Sequence, residues 1–134
     1  MPGYEPIRDD EATGVLPGTV AAAHLESCAA GLAGGVGPAN VRECLGRVGD
    51  LAEVIQYLVA GQQHISSTLA GLAEHVHDRH VAGPLATAPM DDVVALTEVL
   101  RAAASAARHS AEALAETAPM LENVAESAGP DTRL

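Results

Sequence analysis

Two kinds of side chain are nearly missing from this chain. The aromatics are Tyr4 and Tyr57 alone, with no Phe and no Trp. Lysine is absent, so all seven residues counted as Lys or Arg are arginine. Without large rings, a core must be filled by Leu, Val, Ile and Ala, whose modest volumes let helix backbones approach closely. That favours a helix bundle over a sheet sandwich, which draws on aromatic and β-branched residues. The scarcity of positive charge leaves a net charge of −11, which repels phosphate backbones and disfavours nucleic-acid binding.

Other absences narrow the function classes. No stretch approaches ~18 uncharged apolar residues, so no membrane span is expected. The opening Met-Pro-Gly-Tyr-Glu-Pro lacks the basic segment and apolar run of a signal peptide. The expected location is the cytoplasm, with leaderless export as the alternative. Gly34, Gly35 and Gly37 lack the lysine of a phosphate-binding loop. There is no Gly-x-Ser-x-Gly and no Cys-x-x-Cys. The chain is therefore expected not to be an enzyme and to carry no cofactor.

What remains is 48% apolar and 19% charged over 134 residues, enough to bury one domain's core. Alanine dominates and is the best helix former. With the Gly, Val and Leu bias, it suggests coding from a GC-rich bacterial genome. Residues 1–18 hold Pro2, Pro6 and Pro17 and read as a flexible arm. Thr19 can cap a helix A over 19–33, with a stripe of Ala21, Leu25, Cys28 and Leu32. A Gly/Pro turn then opens a helix B over 38–81. Gly83-Pro84 stops it, and a helix C is expected over 90–128, with a kink near Pro119. A short tail, 129–134, follows.

With Val41 placed at heptad position a, helix B repeats Val41, Val48, Ile55, Gln62, Leu69 and Val76 at a, and Cys44, Leu51, Leu58, Ile65, Leu72 and Arg79 at d, with Gln62 and the terminal Arg79 the polar exceptions. Helix C repeats Val93, Leu100, Ala107, Leu114 and Leu121 at a, and Leu96, Ala103, Ser110, Thr117 and Val124 at d. Folding B onto C about the Gly-Pro turn sets Val76 against Leu96, Leu72 against Leu100 and Ile65 against Ala107. The polar a residue Gln62 then meets the polar d residue Ser110, a layer able to fix register. The predicted class is all-α: a long antiparallel, coiled-coil-like helical hairpin with a short N-terminal helix, completed to a bundle by association.

Apolar positions also flank that seam. Leu45, Ala52, Val59 and Ala73 on helix B, with Val99, Ala106, Ala113 and Met120 on helix C, form the expected interface for another helical protein. A homodimer or larger assembly is the simplest form, and a scaffold or adaptor acting through helix–helix association is the leading function. The alternatives are a leaderless secreted or particle-associated hairpin, and a metal-binding sensor or enzyme built on Glu74, His75, His77 and His80. His77 and His80 share one helical face, but basic residues near a helix C-terminus also complement its dipole. Cys28 and Cys44 lie equally far from Val36, so a helical hairpin of A and B would bring them level, as a disulfide or as buried thiols.

In size and in their acidic, Ala-rich character, helices B and C resemble the small secreted helical hairpins of actinobacterial type VII systems. The Trp-x-Gly turn of that family is replaced here by Ala82-Gly83-Pro84-Leu85, and its Tyr-x-x-x-Asp/Glu tail signal is absent. The resemblance transfers no site residue.

Overall fold

A computed structural model describes residues 15–134. Most of the expected N-terminal arm, residues 1–14, lies outside the described residues. Helix is the regular structure throughout those described, with one isolated antiparallel bridge between Arg47 and Arg133. The chain divides into two compact units at Gly46/Arg47.

The first unit carries α1 (Gly18–Gly35) and a single turn, α2 (Val41–Cys44). Pro17, rather than Thr19, precedes α1, and its carbonyl accepts from Val20 and Ala21 at 3.0 and 3.1 Å. Proline supplies a fixed φ there without needing a side-chain cap. No residue of α1 is buried. Helix B does not begin at 38 as one rod. The backbone leaves the helix at Leu45–Arg47, where Gly46 weakens helix continuity and Arg47 is extended (φ −133°, ψ 161°). Val41 and Cys44 therefore drop out of the long heptad series.

The second unit is an antiparallel helical hairpin. Helix α3 (Val48–Ala82) packs along α4 (Met90–Ala115) and, more lightly, along α5 (Ala118–Ala128). Two aspartates, Asp91 and Asp92, lie in the first turn of α4, where the helix dipole favours negative charge. The interruption expected near Pro119 falls at Glu116–Thr117, and Pro119 sits in the first turn of α5, where its missing N–H costs least.

Each end of the hairpin is tied down. At the turn, Leu85 N donates to Arg79 O at 3.1 Å and His80 Nε2 reaches Ala88 O at 3.3 Å. At the open end, Val48 N donates to Thr132 O at 3.0 Å and Gly49 N to Pro130 O at 2.9 Å. Arg47 N is held by the Asp50 carboxylate at 3.0 Å. These bonds engage amide donors that an α-helix N-terminus leaves unpaired. Residues 129–134 thus clamp the start of α3. Gly129 starts the clamp at φ 90°, a conformation other residues resist, and the Thr132 hydroxyl closes the loop by donating to Ala128 O.

The seam is not the one the Leu-rich heptads predict. Along α4 and α5 Val93, Thr97, Leu100, Ala104, Ala107, Ala111, Leu114, Leu121 and Ala125 are buried or half-buried, whereas of the d row Leu96, Ser110 and Val124 are exposed and Ala103 and Thr117 half-buried. Along α3 Val48, Ala52, Ile55, Val59, Gln62, Ser66, Leu69, Ala73 and Val76 are buried or half-buried, whereas of the d row Leu58 and Leu72 are exposed and Leu51 and Ile65 half-buried. Both rows keep the alternating three–four spacing but use positions a and e in place of a and d. Each helix is rotated by about 50°, taking ~100° per residue. The cause is size. The e row is mostly small (Thr97, Ala104, Ala111 and Ala125 on one side, Ala52, Ser66 and Ala73 on the other, with Val59 its one larger member), which permits closer backbone approach than a leucine row. Ala73 is 0% exposed and Ala111 1%. The Ser66 hydroxyl reaches across to Ala104 O at 2.7 Å, a bond that requires such proximity.

Candidate functional site

The rotation decides which side chains are free to meet something else. On an antiparallel partner the helical sense reverses, so the d and g rows of both helices emerge on the same side of the hairpin. On α3 this side carries Leu51, Leu58, Ile65 and Leu72. On α4 and α5 it carries Leu96, Val99, Ala103, Ala106, Ser110, Ala113, Met120 and Val124. Leu72 is 47% exposed, Val99 66% and Met120 65%. No Asp, Glu or Arg occupies these rows between Leu51 and Leu72 or between Leu96 and Val124. The carboxylates Glu53, Glu74, Glu98, Glu112 and Glu126 fall on the far side, with Arg101 and Arg108.

The residues expected to form the interface are split by this geometry. Val99, Ala106, Ala113 and Met120 are exposed and belong to the apolar side. Ala52, Val59 and Ala73 turn into the hairpin seam, and Leu45 is buried just before α3, so none of these four is free. Their places on α3 are taken by the leucines assigned to the seam by sequence. The Gln62–Ser110 layer does not form: Gln62 is half-buried on the a row, Ser110 points outward, and Ser66 supplies the polar contact across the seam. The periodic series Thr97, Ala104, Ala111, Ala118, Ala125 was the sequence signal for this arrangement.

The hairpin also holds a groove of about 300 Å³ where α4 gives way to α5. Ile55, Val59, Leu114 and Leu121 form its apolar floor, while Gln56, Thr117 and Glu122 stand among its lining residues.

The histidine cluster does not converge. Glu74, His75 and His77 are exposed, and His80 is half-buried against Ala88 O. Among the described residues, no three His, Cys, Asp or Glu side chains come together in a way that would hold a metal. The cysteines are both free. Cys28 is exposed, contrary to the buried thiol expected. Cys44 packs on Gly35, where an added Cβ would stand 2.8 Å from its Sγ. With α2 only one turn long, there is no second helix to carry Cys44 back alongside Cys28. No helix among the described residues is long and apolar enough to cross a membrane.

Comparison of the chain with protein-family models, with curated proteins and with solved structures finds no match. The hairpin itself is therefore the ground for any functional reading.

Proposed function

We propose that this chain is a non-enzymatic helical scaffold or adaptor that works by helix–helix association. The supporting observation is the uncharged apolar side of the hairpin, on which Leu58, Leu72, Leu96 and Val99 stay exposed while alanines fill the seam. Exposed apolar residues scattered singly are ordinary, but a contiguous patch marks an interaction surface. A hairpin that needed only to fold would gain more by turning its leucines inward. Here that area is left for a second helical layer.

The test compares the full chain with a Val99→Glu variant in co-purification from the native host after mild cross-linking. Val99 is exposed, so the variant keeps its fold, and any helical association through this side weakens. Association of the wild type that is lost in the variant supports the reading. A wild type recovered free of every other protein chain, its own copies included, overturns it.

A further inference from the structure

The uncharged side of the hairpin has an internal asymmetry. Its α3 half is a ridge of large side chains, Leu51, Leu58, Ile65 and Leu72. Its α4 half, over the middle turns, is a trough of small ones, Ala103, Ala106, Ser110 and Ala113. The two run side by side. Carrying the register of the Ser66–Ala104 hydrogen bond along the pair places Leu58 level with Ala113, and Ile65 level with Ala106. A ridge and a trough of matched height on one face make that face complementary to itself.

We propose that the occupant of this face is a second copy of the same chain, bound about a two-fold axis parallel to the hairpin. This rests on the helix-association reading above and names its partner. A rotation about that axis lays the middle of each α3 ridge, Leu58 and Ile65, over the other copy's α4 trough without changing height, while the ends of the ridge, Leu51 and Leu72, come level with Met120 and Val99. Leu58 of one copy then meets the Ala113 level of the other. Every neighbouring helix pair in the resulting four-helix bundle is antiparallel, the usual arrangement for such bundles. A two-fold perpendicular to the hairpin would instead press ridge on ridge and trough on trough.

Area and charge favour the same occupant. At ~1.5 Å per residue the charge-free stretch of α3, Leu51 to Leu72, is ~33 Å long. Two helices side by side are ~20 Å wide, giving a footprint of ~650 Å² per copy, or ~1,300 Å² in total, within the range of stable, specific interfaces. Two chains of net charge −11 repel, so copies can meet at low cost only where carboxylates are absent. Between Leu51 and Leu72, and between Leu96 and Val124, the d and g rows meet that condition, and Glu53, Glu74, Glu98 and Glu112 are carried to the outside of the pair. Ser110, the one hydroxyl midway along the trough, becomes buried near the centre of the bundle. A polar residue in such a place fixes register.

The experiment is sedimentation equilibrium of the purified full chain from 1 to 100 µM, on the wild type, Val99→Glu and Ala70→Glu. Ala70 is exposed on the opposite side, so its variant adds the same charge away from the face. A wild-type dimer is expected, with Val99→Glu weakening it at least ~100-fold, because two unpaired carboxylates would be buried. Ala70→Glu should dimerise like the wild type. Circular dichroism of each variant checks that the helices are retained. Orientation is read from spin labels on Thr87→Cys, at an exposed position in the turn, with Cys28 and Cys44 replaced by serine. Turns at the same end give a label separation of ~30 Å or less; turns at opposite ends give ~50 Å or more. A wild type that stays monomeric to 100 µM overturns the second copy as occupant, while the native-host comparison continues to judge helix association by itself. A dimer indifferent to Val99→Glu, one with its turns far apart, or any other stoichiometry also overturns the proposal.

Discussion

At position 73 the chain carries an alanine with no solvent exposure, and at position 72 a leucine that is 47% exposed. The difference is one of approach distance. Alanine in the seam lets the backbones of α3 and α4 come close enough for Ser66 to bond a main-chain carbonyl. Enlarging a side chain there must push the helices apart. Ala73→Leu and Ala111→Leu should each lower unfolding free energy by ~1–3 kcal/mol, the usual cost of overpacking, measured by urea titration monitored at 222 nm. Gly71, two residues earlier, has nothing within 4 Å of where a Cβ would stand. Gly71→Ala should therefore stabilise α3 by up to ~1 kcal/mol in the same titration. The helices themselves were legible in the sequence because apolar spacing and alanine content both point to them. Which apolar row faces inward was not. Hydrophobicity favours burying Leu72 and Leu96, whereas the seven-residue repeat of Thr97, Ala104 and Ala111 carries the opposing signal of close packing.

The element boundaries depend on contacts that local sequence reports unequally. The break between α4 and α5 is announced by Pro119, whose ring cannot continue the hydrogen-bond ladder. The start of α3 is not announced in the same way. Gly46 and Gly49 read as weak points within a longer helix, and arginine is not a usual N-cap residue. What sets the start is distant: amides of Val48 and Gly49 bond carbonyls of Thr132 and Pro130, more than eighty positions later. Pairing over such a distance has no periodic signature. A Cβ on Gly49 would stand 3.2 Å from Pro130 O, so Gly49→Ala pits helix propensity against a displaced clamp. The clamp should win, giving a net loss of ~1 kcal/mol. Removing residues 130–134 should cost ~1–3 kcal/mol, because two helix-end amides lose their protein partners. Hydrogen exchange should show the loss at Val48 and Gly49, with the turn at Gly83–Pro89 unaffected. Equal loosening at both ends of the hairpin would contradict the assignment of the clamp to α3.

For the whole molecule, a second copy seated on the leucine ridge and alanine trough would tie stability to concentration. If the hairpin folds completely alone, its melting temperature is independent of protein concentration. If the second layer is another copy, unfolding releases two chains, and mass action raises the melting temperature with concentration. A tenfold increase contributes ~1.4 kcal/mol per dimer at 25 °C, which for a chain of this size corresponds to a rise of a few degrees, ~2–5 °C. Calorimetry at 5 and 50 µM should show that rise for the wild type. Val99→Glu should flatten it, because an exposed valine on the monomer is a buried one in the bundle. The flattened value should lie below the wild-type value at 50 µM, since the variant retains the seam but loses the second layer. Ala73→Leu should differ in kind: it damages the seam, lowers both melting temperatures together and leaves the concentration dependence in place. The two substitutions thereby separate the contact that makes the hairpin from the contact that employs it.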